Sequence, residues 1–323
     1  MNISGNINFS SLRWRNINYS PIKFGLNNVK LKQLNKDEVS FGANVKLNAI
    51  DRINRIQGNA FDSANKIKEI LLEDLGLPKD CIQIEVIEPP EGDGNYCDYF
   101  DMATGNIILH RDSYSTPQKV AVTIRHELEH FRQCLGYVKN FGLEEYKKYV
   151  EESGNIEEIE QNCPNVSTKF NKELWGNENL YSLVDITKEQ CVSYRNSIIA
   201  RNKVDKMPES TYKDLKNLYM YYIDPSEQEA YEAQDELARK LGIEVDEKIS
   251  PVFMQKFAII EKKINEILSK KSYLGKDSAL IFEKAYRKST LKTSLSIDNC
   301  LSNKDIKKLF DCIINELDNF LNL

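Results

Sequence analysis

Histidine is scarce in this chain, which has three histidines among 323 residues. Long apolar runs are missing as well, because no stretch approaches the roughly 18 residues that mark a membrane-spanning helix. The amino terminus also lacks the charged start and apolar stretch of a secretory signal. We therefore expect a protein that neither enters a membrane nor carries a secretory signal.

Paired cysteines are also absent. The seven cysteines are widely spaced and odd in number, and none forms a C-x-x-C pair. This disfavours a disulfide framework or a cysteine zinc site and predicts free thiols in a reducing, cytoplasmic environment. The sequence contains neither a phosphate-binding glycine loop nor a G-x-S-x-G elbow, which disfavours the enzyme classes built on those motifs.

The chain has no excess of positive charge. Its net charge is −5 and its pI is about 5.5, whereas a nucleic-acid binder needs a basic surface to neutralise phosphates. Residues 1–48 nevertheless hold seven lysines and arginines against two acidic residues, a balance of +5, so residues 49–323 carry −10. Since residues 1–48 are rich in asparagine and lack periodicity, we interpret them as a flexible basic arm.

Apolar periodicity predicts a small sheet followed by many helices. Helical spacing runs from 49 to 75 around Gly58, and alternation at 81–88 and 96–110 indicates three short strands of an antiparallel sheet. The stretch 153–186 is interpreted as a long loop. Turn residues near 242–250 separate a catalytic domain, 49–245, from a helical C-terminal module, 246–323. The predicted helices are 117–135, 143–152, 187–201, 209–223, 226–241, 251–270, 278–289 and 303–321.

Two of the three histidines belong to one motif, His-Glu-Leu-Glu-His at 126–130. On a helix, His126 and His130 lie one turn apart on the same face and can bind one ion. Glu127 is rotated by about 100° from His126 and can take a proton from a water that zinc has made acidic. Pro117 suits the start of this helix, with Ser115 or Thr116 as its cap, and Gly136 suits its end.

The H-E-x-x-H segment resembles the active-site helix of the zincin metallopeptidases. The resemblance implies a zincin-like fold, in which this helix lies beneath a small mixed sheet whose edge strand binds an extended substrate. Zincins of the metzincin branch have a glycine three residues after the second histidine and a third histidine beyond it. Here position 133 is Gln133 and no histidine follows His130, so the resemblance is to gluzincins, which complete the site with a glutamate on a later helix.

The best candidate for that glutamate is Glu227. Asp224 can cap a helix in which Pro225 and Glu227 occupy the first turn. Glu227 projects on the same side as the apolar residues, where a lone buried charge is costly, and Glu229 projects nearly opposite. The segment Glu227-Gln228-Glu229-Ala230 is also similar to the third-ligand helix of metallopeptidases that cleave phage-type repressors, which implies Glu227 as ligand. The alternatives are that Glu227 only caps its helix, or that Glu229 is the ligand.

Other polar residues admit two interpretations. His110, at a strand end, is either structural or contacts a substrate or ligand group. Gln133 is either a support for His130 or an exposed glutamine. One of the tyrosines before the ligand helix can stabilise an oxyanion, although packing is the better explanation for each of them; these are Tyr219, Tyr221 and Tyr222.

We expect an α+β, zincin-like zinc metallopeptidase, a hydrolase acting on a protein or peptide substrate. One Zn²⁺ is held by His126, His130 and Glu227, and Glu127 is the general base that assists attack of water on the peptide carbonyl. Two alternatives remain open. One is a metal-dependent amide hydrolase acting on a small molecule or cell-wall fragment. The other is a non-catalytic helical interaction protein with structural histidines.

Overall fold

The computed structural model describes residues 47–88, 98–111, 114, 116–163, 165–243, 251–270, 277–297, 300 and 302–322. The chain divides into two compact units. Among the described residues, the sheet unit comprises 47–203 and 221–243, and the helical unit comprises 204–220 and 251–322. The predicted basic arm, except for its last two residues, lies outside the described residues.

The described residues are mostly helical, with one small mixed sheet, which is an α+β arrangement. Helices α8 and α9 each have residues in both units. The elements, in chain order, are α1 (Leu47–Asn54), α2 (Ala64–Asp74), β1 (Ile84–Ile87), β2 (Tyr99–Phe100), β3 (Ile107–His110), α3 (Pro117–Phe141), α4 (Leu143–Ser153), α5 (Asn155–Asn162), α6 (Lys172–Trp175), α7 (Glu178–Tyr181), α8 (Lys188–Asp205), α9 (Thr211–Ile223), α10 (Pro225–Leu241), α11 (Pro251–Lys270), α12 (Ser278–Thr293) and α13 (Asn303–Asn322).

The sheet has the order β1-β3-β2, with β1 parallel and β2 antiparallel to β3. The antiparallel pairing expected from the strand pattern is therefore wrong for β1, whereas the small mixed sheet of the expected fold class is confirmed. A tight turn links β2 to β3, where the Asp101 carboxylate accepts hydrogen bonds from the backbone of Ala103 and Thr104 and Gly105 takes a φ of +80°. Because that turn puts β2 on one side of β3, β1 pairs with the other side. The segment between β1 and β3 is long enough for β3 to run parallel to β1.

Helix α3 forms the centre of the sheet unit. Thr116 caps it by accepting a hydrogen bond from the backbone of Lys119, and Pro117 is its first residue, as predicted. All six residues of the predicted apolar ridge are fully buried in the core, where they pack with α2 and the inner face of the sheet. They are Val120, Ala121, Ile124, Leu128, Phe131 and Leu135.

The predicted end of α3 at Gly136 is wrong, because the helix continues to Phe141 and ends at Gly142, which has a φ of +83°. Gly136 serves a different purpose inside the helix. A Cβ atom at this position would lie 2.5 Å from Cβ of Ile186, so glycine is needed for the segment before α8 to approach α3. A glycine required by close packing has the same sequence signature as one that ends a helix.

Two further regions differ from a simple interpretation of the sequence. The helical stretch 49–75 is divided into α1 and α2, with Gly58 at a φ of +110° between them. The stretch 153–186, predicted as a long loop, contains the short helices α5, α6 and α7. The sequence pattern missed them because they span only eight, four and four residues, too short for a clear periodicity.

The helical unit has its own core, formed by α11, α12 and α13 with the described residues 204–220. Phe257, Phe282 and Leu309 are fully buried in it. No helix among the described residues has the length and apolarity to span a bilayer. The six cysteines within the described part of the chain are free thiols.

Gly136→Ala tests whether Gly136 is required by packing. Alanine in a helix interior should stabilise by about 1 kcal/mol over glycine, but overpacking against Ile186 should cost about 1–3 kcal/mol. We expect no net stabilisation and up to about 2 kcal/mol of destabilisation in urea unfolding. A gain of about 1 kcal/mol, as propensity alone gives, would contradict the close approach.

Candidate metal centre

Helix α3 carries two candidate ligands, His126 and His130, and the candidate base Glu127, all away from its apolar ridge. His126 is 7% exposed and Glu127 is 6% exposed, although neither belongs to the ridge. The Nε2 atoms of His126 and His130 lie 3.2 Å apart, as expected of residues four positions apart on a helix whose rings turn to one point. His126 and Glu127 are buried because α10 packs along this face of α3.

Helix α10 supplies the third candidate. Asp224 caps it by accepting hydrogen bonds from the backbone and hydroxyl of Ser226, at 3.0 and 2.7 Å. This fixes the first turn, so Glu227 points toward α3. Its Oε2 atom lies 3.5 Å from Nε2 of His126 and 3.7 Å from Nε2 of His130. The structure thus brings together His126, His130 and Glu227.

These distances have the size expected of ligands around one zinc ion. Tetrahedral zinc with bonds of about 2.0–2.1 Å places its ligand atoms about 3.3 Å apart. The three observed separations are 3.2, 3.5 and 3.7 Å. Within the described residues, this is the one group of three or more histidine, cysteine or acidic side chains whose potential ligand atoms converge in this way.

The carboxylate oxygen facing the histidines is poorly satisfied by the protein alone. Oε2 of Glu227 is buried, and the histidine Nε2 atoms that face it lie 3.5 and 3.7 Å away, too far for a well-formed hydrogen bond. Leaving a charged oxygen buried without a hydrogen bond is costly. A cation at the centre of the three ligand atoms would remove that cost, so the residues present fit a bound zinc ion.

In the absence of metal, a proton takes the place of the cation. Burial disfavours charge on His130, but the Glu227 carboxylate outweighs burial and raises the pKa of His130 to about 10. Burial alone would raise the pKa of Glu227, but the two imidazoles hold that pKa well below its ordinary range. At neutral pH the metal-free site therefore holds a protonated His130 beside an ionised Glu227.

The second candidate ligand, Glu229, lies outside this group. Its carboxylate accepts hydrogen bonds from Tyr194 and Gln190 of α8 and from Gln133 of α3. Burial raises its pKa. Glu229 thus belongs to a neighbouring polar cluster, while the side of α10 that faces the histidines carries Glu227.

Two residues near the site were not singled out from the sequence. The Tyr231 ring, one turn after Glu227, meets the His126 ring edge-on with centroids 4.7 Å apart. Arg201 of α8 has its Nη1 atom 3.6 Å from Oδ2 of Asp224 and 4.0 Å from Oε1 of Glu227. The four-residue spacing from Glu227 to Tyr231 was an available signal, whereas nothing in the sequence points from Arg201 to α10.

The predicted tyrosines have different surroundings. The Tyr221 hydroxyl lies 3.1 Å from that of Tyr231, and the Tyr222 ring stacks on the Tyr231 ring. Tyr219 belongs to the helical unit, where it packs on Phe257. Burial and the nearby Glu227 carboxylate raise the pKa of Tyr221 well above its ordinary value. Tyr231 therefore lies beside the candidate ligand His126, and Tyr221 lies beside the candidate ligand Glu227.

His110 lies on the face of the sheet away from α3. It is 1% exposed, and its ring nitrogens lie 3.7 Å from Oδ1 of Asp98 and 3.9 Å from Sγ of Cys163. This environment is that of a structural strand-end histidine.

Comparisons of the chain with protein-family models, with curated proteins and with solved structures found no match.

Zinc binding should release a proton. At pH 7, below the raised pKa of His130, zinc must displace that proton, so binding should release about one proton per ion and affinity should rise about tenfold per pH unit. Titration calorimetry in two buffers of different ionisation enthalpy measures the release. A pH-independent affinity between pH 6.5 and 8 with no proton released would contradict the electrostatic account.

Proposed function

We propose that this protein is a zinc-dependent hydrolase with a zincin-like catalytic domain, and that it acts as a metallopeptidase. The observation that carries the proposal is the convergence of His126, His130 and Glu227 in the sheet unit, with Glu127 next to His126 on α3. Two imidazoles and one carboxylate leave one position of a tetrahedral zinc ion open, which is the arrangement of catalytic sites.

The sheet supports the resemblance to zincins. The strand β2 is an edge strand, antiparallel to its neighbour, and it packs against the motif helix, with the Phe100 and Phe131 rings 6.1 Å apart. In zincins such an edge strand binds an extended substrate. This is the support for a peptide as the substrate.

Each residue of the site has a role in amide hydrolysis. His126, His130 and Glu227 hold the ion, whose chemistry is to polarise a carbonyl and lower the pKa of water. Glu127 lies close enough to His130 to affect its pKa and can accept the proton of the attacking water. As the bond between carbonyl carbon and nitrogen breaks, Glu127 can deliver that proton to the leaving amine. Tyr231 can donate a hydrogen bond to the developing oxyanion.

One observation favours a smaller amide as the alternative substrate. On the side of β2 away from β3, the Asn155 side chain accepts a hydrogen bond from the backbone of Met102 at 3.0 Å and donates one to the carbonyl of Phe100 at 3.1 Å. A peptide strand cannot pair with these two backbone groups while Asn155 holds them. A compact amide substrate would not have to pair with the backbone of β2.

The test compares zinc-loaded wild-type protein with Glu127→Gln, using a peptide library and a panel of small amides analysed by mass spectrometry. We expect Glu127→Gln to keep its zinc but to lose about 10²–10⁴-fold in kcat, because general acid–base catalysis contributes that much. Glu144→Gln changes an exposed glutamate in the first turn of α4 and serves as the matched control with unchanged activity.

Full activity of Glu127→Gln would refute the proposed mechanism. Cleavage of amides without cleavage of any peptide would replace the peptidase by the amide hydrolase. A folded wild-type protein that binds no zinc would leave the motif structural and favour the non-catalytic interaction protein.

A further inference from the structure

Gln133 connects two of the three candidate ligands through one side-chain amide. It lies one turn after His130 on α3 and is 5% exposed. Its Oε1 atom is 3.0 Å from Nδ1 of His130, and its Nε2 atom donates a hydrogen bond of 2.9 Å to the backbone carbonyl of Ser226. Ser226 immediately precedes Glu227, so the amide spans from the His130 ring to the turn that carries Glu227.

The partners of Gln133 determine which way its amide points. A backbone carbonyl oxygen can only accept a hydrogen bond, so the NH₂ group must face Ser226. The Glu229 carboxylate, 3.5 Å from the same nitrogen, is a second acceptor on that side. With the amide reversed, two oxygens would face each other at 2.9 Å. The oxygen of Gln133 therefore faces His130 and must accept a hydrogen bond from it.

This hydrogen bond determines the state of the His130 ring. Because Oε1 of Gln133 accepts, Nδ1 of His130 must carry a proton. The lone pair available for a metal is then on Nε2, the atom that lies 3.2 Å from Nε2 of His126 and 3.7 Å from Oε2 of Glu227. A ring rotated the other way would lose the hydrogen bond to Gln133.

The amide is itself held in place by α8. Tyr194 and Gln190 both donate to the Glu229 carboxylate, which keeps that acceptor beside Nε2 of Gln133. The network thus runs from α8 through Glu229 and Gln133 to His130, and every step in it is a donor facing an acceptor.

We propose that Gln133 is a positioning residue of the metal site: it holds His130 with Nδ1 protonated and Nε2 directed at the metal, and it ties that ring to the first turn of α10. The inference rests on the proposed function. Partners of this kind, which hydrogen-bond to a metal-binding histidine, typically contribute 10–100-fold in metal affinity.

The test uses Gln133→Leu, which has a similar size but no acceptor or donor, and Gln133→Glu, which keeps an oxygen for His130 but cannot donate to Ser226. Gln118→Leu is the matched control, because it makes the same change in the first turn of α3, where Gln118 is half-buried and away from the site. The readouts are zinc affinity, by competition with a chelator, and the ring-nitrogen NMR spectrum of the full chain with ¹⁵N-labelled histidine. The spectrum has only three rings to assign.

We expect wild-type protein to show a protected, downfield Nδ1 proton on His130. Gln133→Leu should lose that protected signal and bind zinc about 10–100-fold more weakly. Gln133→Glu should retain the signal, shifted further downfield because a carboxylate is a stronger acceptor, with an affinity between wild type and Gln133→Leu. Gln118→Leu should stay within about threefold of wild type, and circular dichroism should show all variants folded.

Three results would overturn the inference: a wild-type His130 without a proton on Nδ1, an unchanged Nδ1 signal in Gln133→Leu, or zinc affinity of a folded Gln133→Leu within threefold of wild type. Failure of the proposed function has a different signature. If wild-type protein binds no zinc, the metal site is refuted, while the Nδ1 signal of the metal-free protein still reports whether Gln133 holds the ring.

Discussion

The packing of α10 against α3 is the contact on which the site depends. It places the Glu227 carboxylate between two imidazoles in a largely buried position, with its Oε2 atom 3.5 and 3.7 Å from their Nε2 atoms. A buried carboxylate without a partner is strongly unfavourable, so this packing is stable only if a cation or a proton occupies the space between the three side chains. Folding of the sheet unit and occupation of the site are therefore linked.

The surrounding residues serve that contact. Alanines occupy three of the four buried apolar positions on α10, which lets α10 approach α3 closely. The alanines are Ala230, Ala233 and Ala238, and the fourth residue is Leu237. The Asp224 cap fixes where α10 begins, and Gln133 joins the same turn to His130. Because the first turn is held from both helices, Glu227 reaches the histidines without a flexible loop between them. Sites carried on rigid elements hold their ligands more precisely than sites on loops.

Much of this arrangement could be predicted from the sequence, because it depends on the spacing of residues within single helices. The ridge of α3, the capping residues of α3 and α10, and the side of α10 on which Glu227 projects all follow from spacing along one element. The scarcity of histidine made the motif at 126–130 stand out. These local signals were enough to select the three side chains that the fold brings together.

What the sequence could not supply depends on contacts between distant segments. Gly136 resembled a helix end, but it permits the close approach of Ile186, which lies 50 positions later in the chain. The parallel pairing of β1 with β3 depends on which side of β3 the tight turn places β2. Arg201 reaches Asp224 only because α8 packs near the start of α10. No periodicity within one segment carries such information.

The most direct test of the account is the zinc content of purified wild-type, Glu227→Gln and Glu229→Gln proteins, measured by elemental analysis after loading and dialysis. The account predicts about one zinc per chain in wild type and in Glu229→Gln, and little or none in Glu227→Gln. Retention of zinc by Glu227→Gln, together with its loss from Glu229→Gln, would show that Glu229 and not Glu227 is the ligand. A folded wild-type protein without zinc would contradict the metal site itself.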